Sequence, residues 1–100
     1  MKQLSITEAM QLYEMLSPYL PQDAENLGLI ELAQAIIDSI YREKAYREYA
    51  NILELLLGID ESVLVTLGYK ETTQSFIEGL AGNYIFDLIQ FAKGLGHGGI

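Results

Sequence analysis

Apolar residues recur at helical spacing along almost the whole chain, and few breakers separate the stripes. A repeat near 3.6 residues puts positions i, i+3, i+4 and i+7 on one side, so each stripe implies a helix with one face to bury. Ile6, Ala9, Met10, Tyr13 and Leu16 share a face of a first helix over residues 5–17. It opens on Ser5-Ile6-Thr7-Glu8, the spacing of a capping box, in which serine and glutamate satisfy each other's free amides. Pro18 and Pro21 stop it, because each lacks an amide hydrogen and biases the residue before it against helix.

A second stripe, Leu29, Ile30, Ala33, Ile36, Ile37 and Ile40, predicts a helix from near Asp23 towards Tyr41. Continued at the same phase, that stripe would run through Lys44 and Arg47. The next apolar set, including Tyr49, Ile52, Leu53 and Leu56, falls on the opposite side. Either the helix breaks near Arg42-Glu43-Lys44, or one long helix buries first one face and then the other; a break is favoured. Gly58 supplies a left-handed cap. A short helix follows, with Asp60 as N-cap and Val63, Leu64 and Leu67 inward, ended by Gly68. Thr72 or Thr73 starts the last block, in which Phe76, Ile77, Leu80, Ala81, Tyr84, Ile85, Leu88, Ile89 and Ala92 share a broad face. Gly79 and Gly82 each weaken that helix by about 1 kcal/mol relative to alanine, which predicts a kink near Asn83.

The expected class is therefore all-α, a single small domain of about five helices. Residues 1–93 form the helical domain, and residues 94–100 form a flexible glycine-rich tail. A membrane span needs roughly 20 apolar residues and a secretory signal an unbroken apolar run, and neither is present. A soluble cytoplasmic protein is the expectation.

Composition excludes several chemistries. The chain has no cysteine, so thiolate zinc sites, iron–sulfur clusters, disulfides and cysteine nucleophiles are out. His97, the one imidazole, is flanked by Gly96 and Gly98, without the held partners that a metal site or general base needs. The tail glycines open no helix, so they form no phosphate loop. No catalytic residue, metal or cofactor is expected. Fourteen acids against six bases give a net charge of −8, a poor balance for gripping a nucleic-acid backbone.

Tyr41, Tyr46 and Tyr49 interleave with Arg42, Lys44 and Arg47. With Glu43 and Glu48 among them, they read as half-buried tyrosines beside a solvated salt-bridge segment. Phe86 is the sharper feature, because a continuous helix projects it beside Gly79, Gly82, Gln90 and Lys93, away from the stripe, and a phase restarted after Gly82 leaves it there. Met15 is similarly off-stripe in the first helix. A lone apolar side chain is ordinary, and burial or simple exposure outweighs docking. As candidate partner contacts, Phe86, Gly82 and Met15 are the residues to test.

Three stretches form a familiar ensemble: Leu56-Leu57-Gly58-Ile59-Asp60-Glu61-Ser62-Val63-Leu64, Phe76-Ile77-Glu78-Gly79-Leu80, and Asn83-Tyr84-Ile85-Phe86-Asp87-Leu88-Ile89. Together they resemble the small, acidic, helical tail assembly chaperones of tailed bacteriophages and prophages. The resemblance implies a protein of the host bacterial cytoplasm that binds the tape measure protein, with tail tube subunits as further clients, before they polymerise. It implies no enzyme activity and no cofactor. Self-association into an oligomer is a second expected mode of binding. The competing reading is an acidic interaction module, an inhibitor or DNA mimic masking a basic partner. That reading calls for one dense acidic face, whereas the carboxylates are spread among the helices.

Overall fold

The computed structural model describes residues 3–98, with side chains for all of these but 61 and 94–98. Six α-helices are described: α1 (Ile6–Leu16), α2 (Leu29–Arg42), α3 (Tyr46–Leu57), α4 (Glu61–Leu64), α5 (Tyr69–Gly82) and α6 (Ile85–Gly98). The all-α expectation holds, and the count rises to six because the last block is two helices.

The capping box forms as expected. Ser5 Oγ accepts from the Glu8 N–H at 3.1 Å, and Glu8 Oε1 accepts from the Ser5 N–H at 3.0 Å. Beyond α1, Pro18 lies in a 3-10 turn, Ser17–Tyr19. The next helix starts at Leu29 and not near Asp23, where a second 3-10 turn, Ala24–Asn26, takes the chain instead. That turn buries Ala24 completely. Carbonyls left outside a helical ladder need other partners. Gln90 of α6 supplies them, its Nε2 donating to Leu27 O at 2.8 Å and to Glu25 O at 3.3 Å.

The stripe reversal is resolved by a break. The α2 helix ends at Arg42, Lys44 takes a left-handed φ of 57°, and α3 starts at Tyr46 with the opposite set of residues inward. Gly58, at φ 69°, caps α3 and donates its N–H to Glu54 O. Asp60 accepts from the Val63 N–H at 3.2 Å and from the Ser62 hydroxyl, starting α4. Val63, expected inward, is exposed, while Leu64 and Leu67 are half-buried. A helix of only four residues offers no room for a full inward stripe.

The α5 helix begins at Tyr69, earlier than Thr72, because Gly68 serves as its N-cap. Thr72 lies in the first turn, where its hydroxyl donates back to Gly68 O at 2.8 Å. The expected kink near Asn83 is a full corner. Asn83 Nδ2 donates to Gly79 O, Asn83 Oδ1 accepts from the Leu4 N–H, and Tyr84 turns left-handed at φ 58°. Helical backbone then runs past the expected tail boundary to Gly98, and residues 99 and 100 lie outside the described residues.

One core joins the elements, with Leu12, Leu16, Leu32, Ile36, Ile52, Phe76 and Ile89 among its fully buried side chains. Each such side chain contributes about 1.5–3 kcal/mol through burial. The radius of gyration, 13.0 Å, is that of a closely packed chain of this length. The α3 and α5 helices approach most tightly at Gly79, where a Cβ would lie 2.7 Å from Leu56 Cγ. Among the described residues, no helix is long and apolar enough to cross a membrane.

Candidate functional site

The three helix starts and stops just described converge at one end of the molecule. The end of α2 presents Tyr41, the first turn of α3 presents Tyr46 and Tyr49, and the start of α5 presents Tyr69. Their rings form one cluster. Tyr41 stands 5.8 Å from Tyr46, 5.9 Å from Tyr69 and 6.3 Å from Tyr49, the last edge-on. Beneath them, Tyr49 meets the buried Phe76 of α5 edge-to-face at 5.8 Å. Such geometry aligns the positive edge of one ring with the negative face of the next.

These tyrosines do not share one environment, which corrects the expectation that all three of the α2–α3 segment are half-buried. Tyr49 is only 7 % exposed, whereas Tyr41 and Tyr46 are exposed. The Tyr49 hydroxyl is buried without a hydrogen-bond partner among the described residues. Burial pushes its pKa well above the ordinary phenol value, and the neighbouring Tyr41 and Tyr69 phenols push it further the same way. The group therefore stays protonated and remains a donor.

An open cleft of ≈ 260 Å³ lies over this cluster, lined by Tyr41, Tyr46, Tyr49, Ala50, Leu53, Leu64, Leu67, Tyr69 and Thr72. No charged side chain is among these residues. Two further concavities adjoin it along α5. One of ≈ 290 Å³, with Leu57, Ile59 and Val63, shares Leu67 with it. The other, ≈ 600 Å³ with Thr73 and Ile77, shares Tyr69. Glu78 borders both neighbours. The three concavities form a mainly apolar track across α3, α4 and α5, edged by Lys70, Gln74, Ser75 and Glu78, with Val63, Val65 and Tyr69 exposed along it.

Charge surrounds the track without lining its centre. Four of the six cations, Arg42, Lys44, Arg47 and Lys70, sit at this end and are exposed. The expected salt bridges of the segment Glu43, Lys44, Arg47 and Glu48 do not form among the described residues. Glu43 and Glu48 lie instead near Tyr19, where after burial they are the next causes raising that phenol's pKa.

The sequence-derived contact residues lie elsewhere, and the structure does not gather them into one exposed patch. Phe86 and Met15 are half-buried and pack against the core, while Gly82 is exposed at the end of α5. Ile85 and Ile89, expected on the inward face of the last block, are fully buried. Tyr84, expected within the stripe, is 73 % exposed, and the exposed phenylalanine of α6 is Phe91. The His97 side chain lies outside the described ones. Among the described residues, no group of three or more histidine, cysteine or acidic side chains could hold a metal ion.

The cleft is not apparent from the sequence, because Tyr69 falls between the helix that Gly68 ends and the one expected from Thr72 or Thr73. The available signal was Gly68 followed by Glu71 at the third helical position, the same pattern as Gly28 and Glu31. In comparisons with known proteins, no family model, curated protein or solved structure matches the chain.

Proposed function

We propose that this chain is a helical binding protein that shields an apolar helix of another protein, working as a bacteriophage tail assembly chaperone. Its client is then the tape measure protein, with tail tube subunits as further clients, in the host bacterial cytoplasm. The observation that supports this reading is the aromatic and aliphatic track across α3, α4 and α5. Amphipathic helices dock into such grooves through side chains spaced one turn apart. Aromatic anchors are also the residues that most often dominate binding energy. The chain acts by burial alone in this role, so no step of bond chemistry is required. The net charge of −8 keeps the loaded complexes apart and soluble.

Choice of client rests on the sequence resemblance, and co-expression tests it. The tape measure protein encoded in the same genome is expected to stay soluble with this chain and to aggregate without it. Tyr69→Asp places a charge on the track and is expected to abolish that protection while leaving the helical circular dichroism unchanged. Equal protection by Tyr69→Asp, or a genome with no tape measure gene beside this one, contradicts the reading.

A further inference from the structure

We propose that the chain pairs with a second copy by exchanging its last helix. The corner at Asn83-Tyr84 straightens, α5 and α6 become one rod, and each α6 seats on the other protomer. The inference needs no client, and it centres on the corner and not on the tyrosine cleft.

Only Asn83 and Tyr84 separate the two helices, and Tyr84 holds a left-handed φ of 58°, which costs a residue with a side chain. Short hinges under strain are the ones that open into exchanged dimers. Gly79 and Gly82 are already helical within α5, so straightening adds only the two hinge residues to the helix. At about 100° per residue, the rod puts Phe76 and Leu80 on one side and Ile85 and Ile89 on the opposite side. All four are fully buried in the closed chain. A rod that keeps Phe76 and Leu80 in their own core therefore points Ile85 and Ile89 at a second core. The seat for α6 there is already built. Gln90 donates to Leu27 O and Glu25 O of the 3-10 turn, 63 or more residues away along the chain. Exchange keeps these bonds and changes only which copy supplies each side.

Between those two faces runs a stripe that the closed chain does not fully bury. Ile77, Ala81, Tyr84, Leu88 and Phe91 follow one another in alternating steps of four and three residues, the spacing of a coiled-coil seam. In the closed chain Tyr84 is 73 % and Phe91 66 % exposed, Ala81 is exposed, and Ile77 and Leu88 are half-buried. The stripe is symmetric about the hinge. Two antiparallel rods crossing at Tyr84 set Ile77 against the partner's Phe91, Ala81 against the partner's Leu88, and Tyr84 against the partner's Tyr84. A two-fold contact requires that self-complementarity, and it selects a second copy as the occupant.

Sedimentation equilibrium of the full chain, refolded from urea at high protein concentration, reads the association. A concentration-dependent dimer is expected. Tyr84→Gly relaxes the closed corner and weakens the rod in both copies, and is expected to weaken the dimer more than about tenfold. Tyr84→Leu keeps the seam apolar and makes the corner no easier, and is expected to leave the dimer intact. Phe91→Glu, at an exposed position of the closed chain, is expected to abolish the dimer and leave the helical circular dichroism of the monomer unchanged. In a dimer mixed from isotope-labelled and unlabelled chains, NOEs from the Gln90 side-chain amide to Leu27 are expected between chains. A chain that stays monomeric after such refolding overturns the proposal. A dimer whose Gln90–Leu27 NOEs all lie within one chain overturns the exchange. Indifference to Tyr84→Gly, or equal loss with Tyr84→Leu, overturns the hinge, and indifference to Phe91→Glu overturns the seam. A dimer that Tyr69→Asp abolishes belongs to the tyrosine cleft and overturns the proposal as well.

Discussion

Phe86 and Tyr41 exchange the places that their sequence positions suggest. Phe86 falls off the apolar stripe on a helical wheel, yet it packs half-buried against the core. Tyr41, in a segment expected to be half-buried, stands exposed at the mouth of the aromatic cleft. The difference lies in the corners. A wheel gives the face within one helix and not the elements packed against it, which depend on the turns the chain makes at the left-handed residues Lys44 and Tyr84. One corner closes its neighbourhood, because Asn83 ties the chain back to Leu4 and Gly79. The other leaves its neighbourhood open, since α3 departs with Tyr46 and Arg47 outward.

This contrast can be broken or sharpened by mutation. The largest effect belongs to Phe76, the buried ring that supports Tyr49. Phe76→Ala is expected to cost about 3–5 kcal/mol, measured by urea unfolding. A loss under about 1 kcal/mol would mean that the cleft floor is not part of the packed core. Next come the two glycines of α5. Gly79→Ala forces a methyl against Leu56 and is expected to cost about 1–2 kcal/mol net of improved helix propensity. Gly82→Ala, at an exposed helix end, is expected to change stability by less than about 0.5 kcal/mol. Equal effects at both would contradict the close approach of α3 and α5.

The corners themselves give smaller changes. Lys44→Gly and Tyr84→Gly each relieve a left-handed backbone, and each is expected to stabilise the chain by about 1 kcal/mol. Stabilisation at one only would show that the two turns are not equivalent. Smallest is the pH effect of Asp60. The Ser62 hydroxyl, then the Val63 N–H, bond to its carboxylate and hold its pKa below the ordinary aspartate value. Its contribution is thus fully present above the unfolded pKa of about 3.9 and is lost as pH falls through the lower folded value. An NMR titration is expected to show the lowered midpoint rise towards the ordinary one in Ser62→Ala.

The helices were legible wherever local chemistry decided them. Ser5 and Glu8, Gly58, Asp60, and the reversal of the stripe around Lys44 each acted as the sequence implied. The start of α2 was not legible, because Gln90 draws the carbonyls of Glu25 and Leu27 out of a helical path from 63 or more residues away. The cleft was illegible for a related reason. Tyr41, Tyr49 and Tyr69 come from three helices, and their juxtaposition depends on how α2, α3 and α5 pack. Spacing along one helix carries no trace of it.

Amide NMR mapping of the chain against a helical segment of the tape measure protein tests the central claim most directly. Shifts concentrated at Tyr46, Tyr49, Leu67 and Tyr69 are expected if the aromatic track is the docking surface. Shifts at Met15, Gly82 and Phe86, with that track silent, would contradict it and return the contact to the surface that the sequence first suggested.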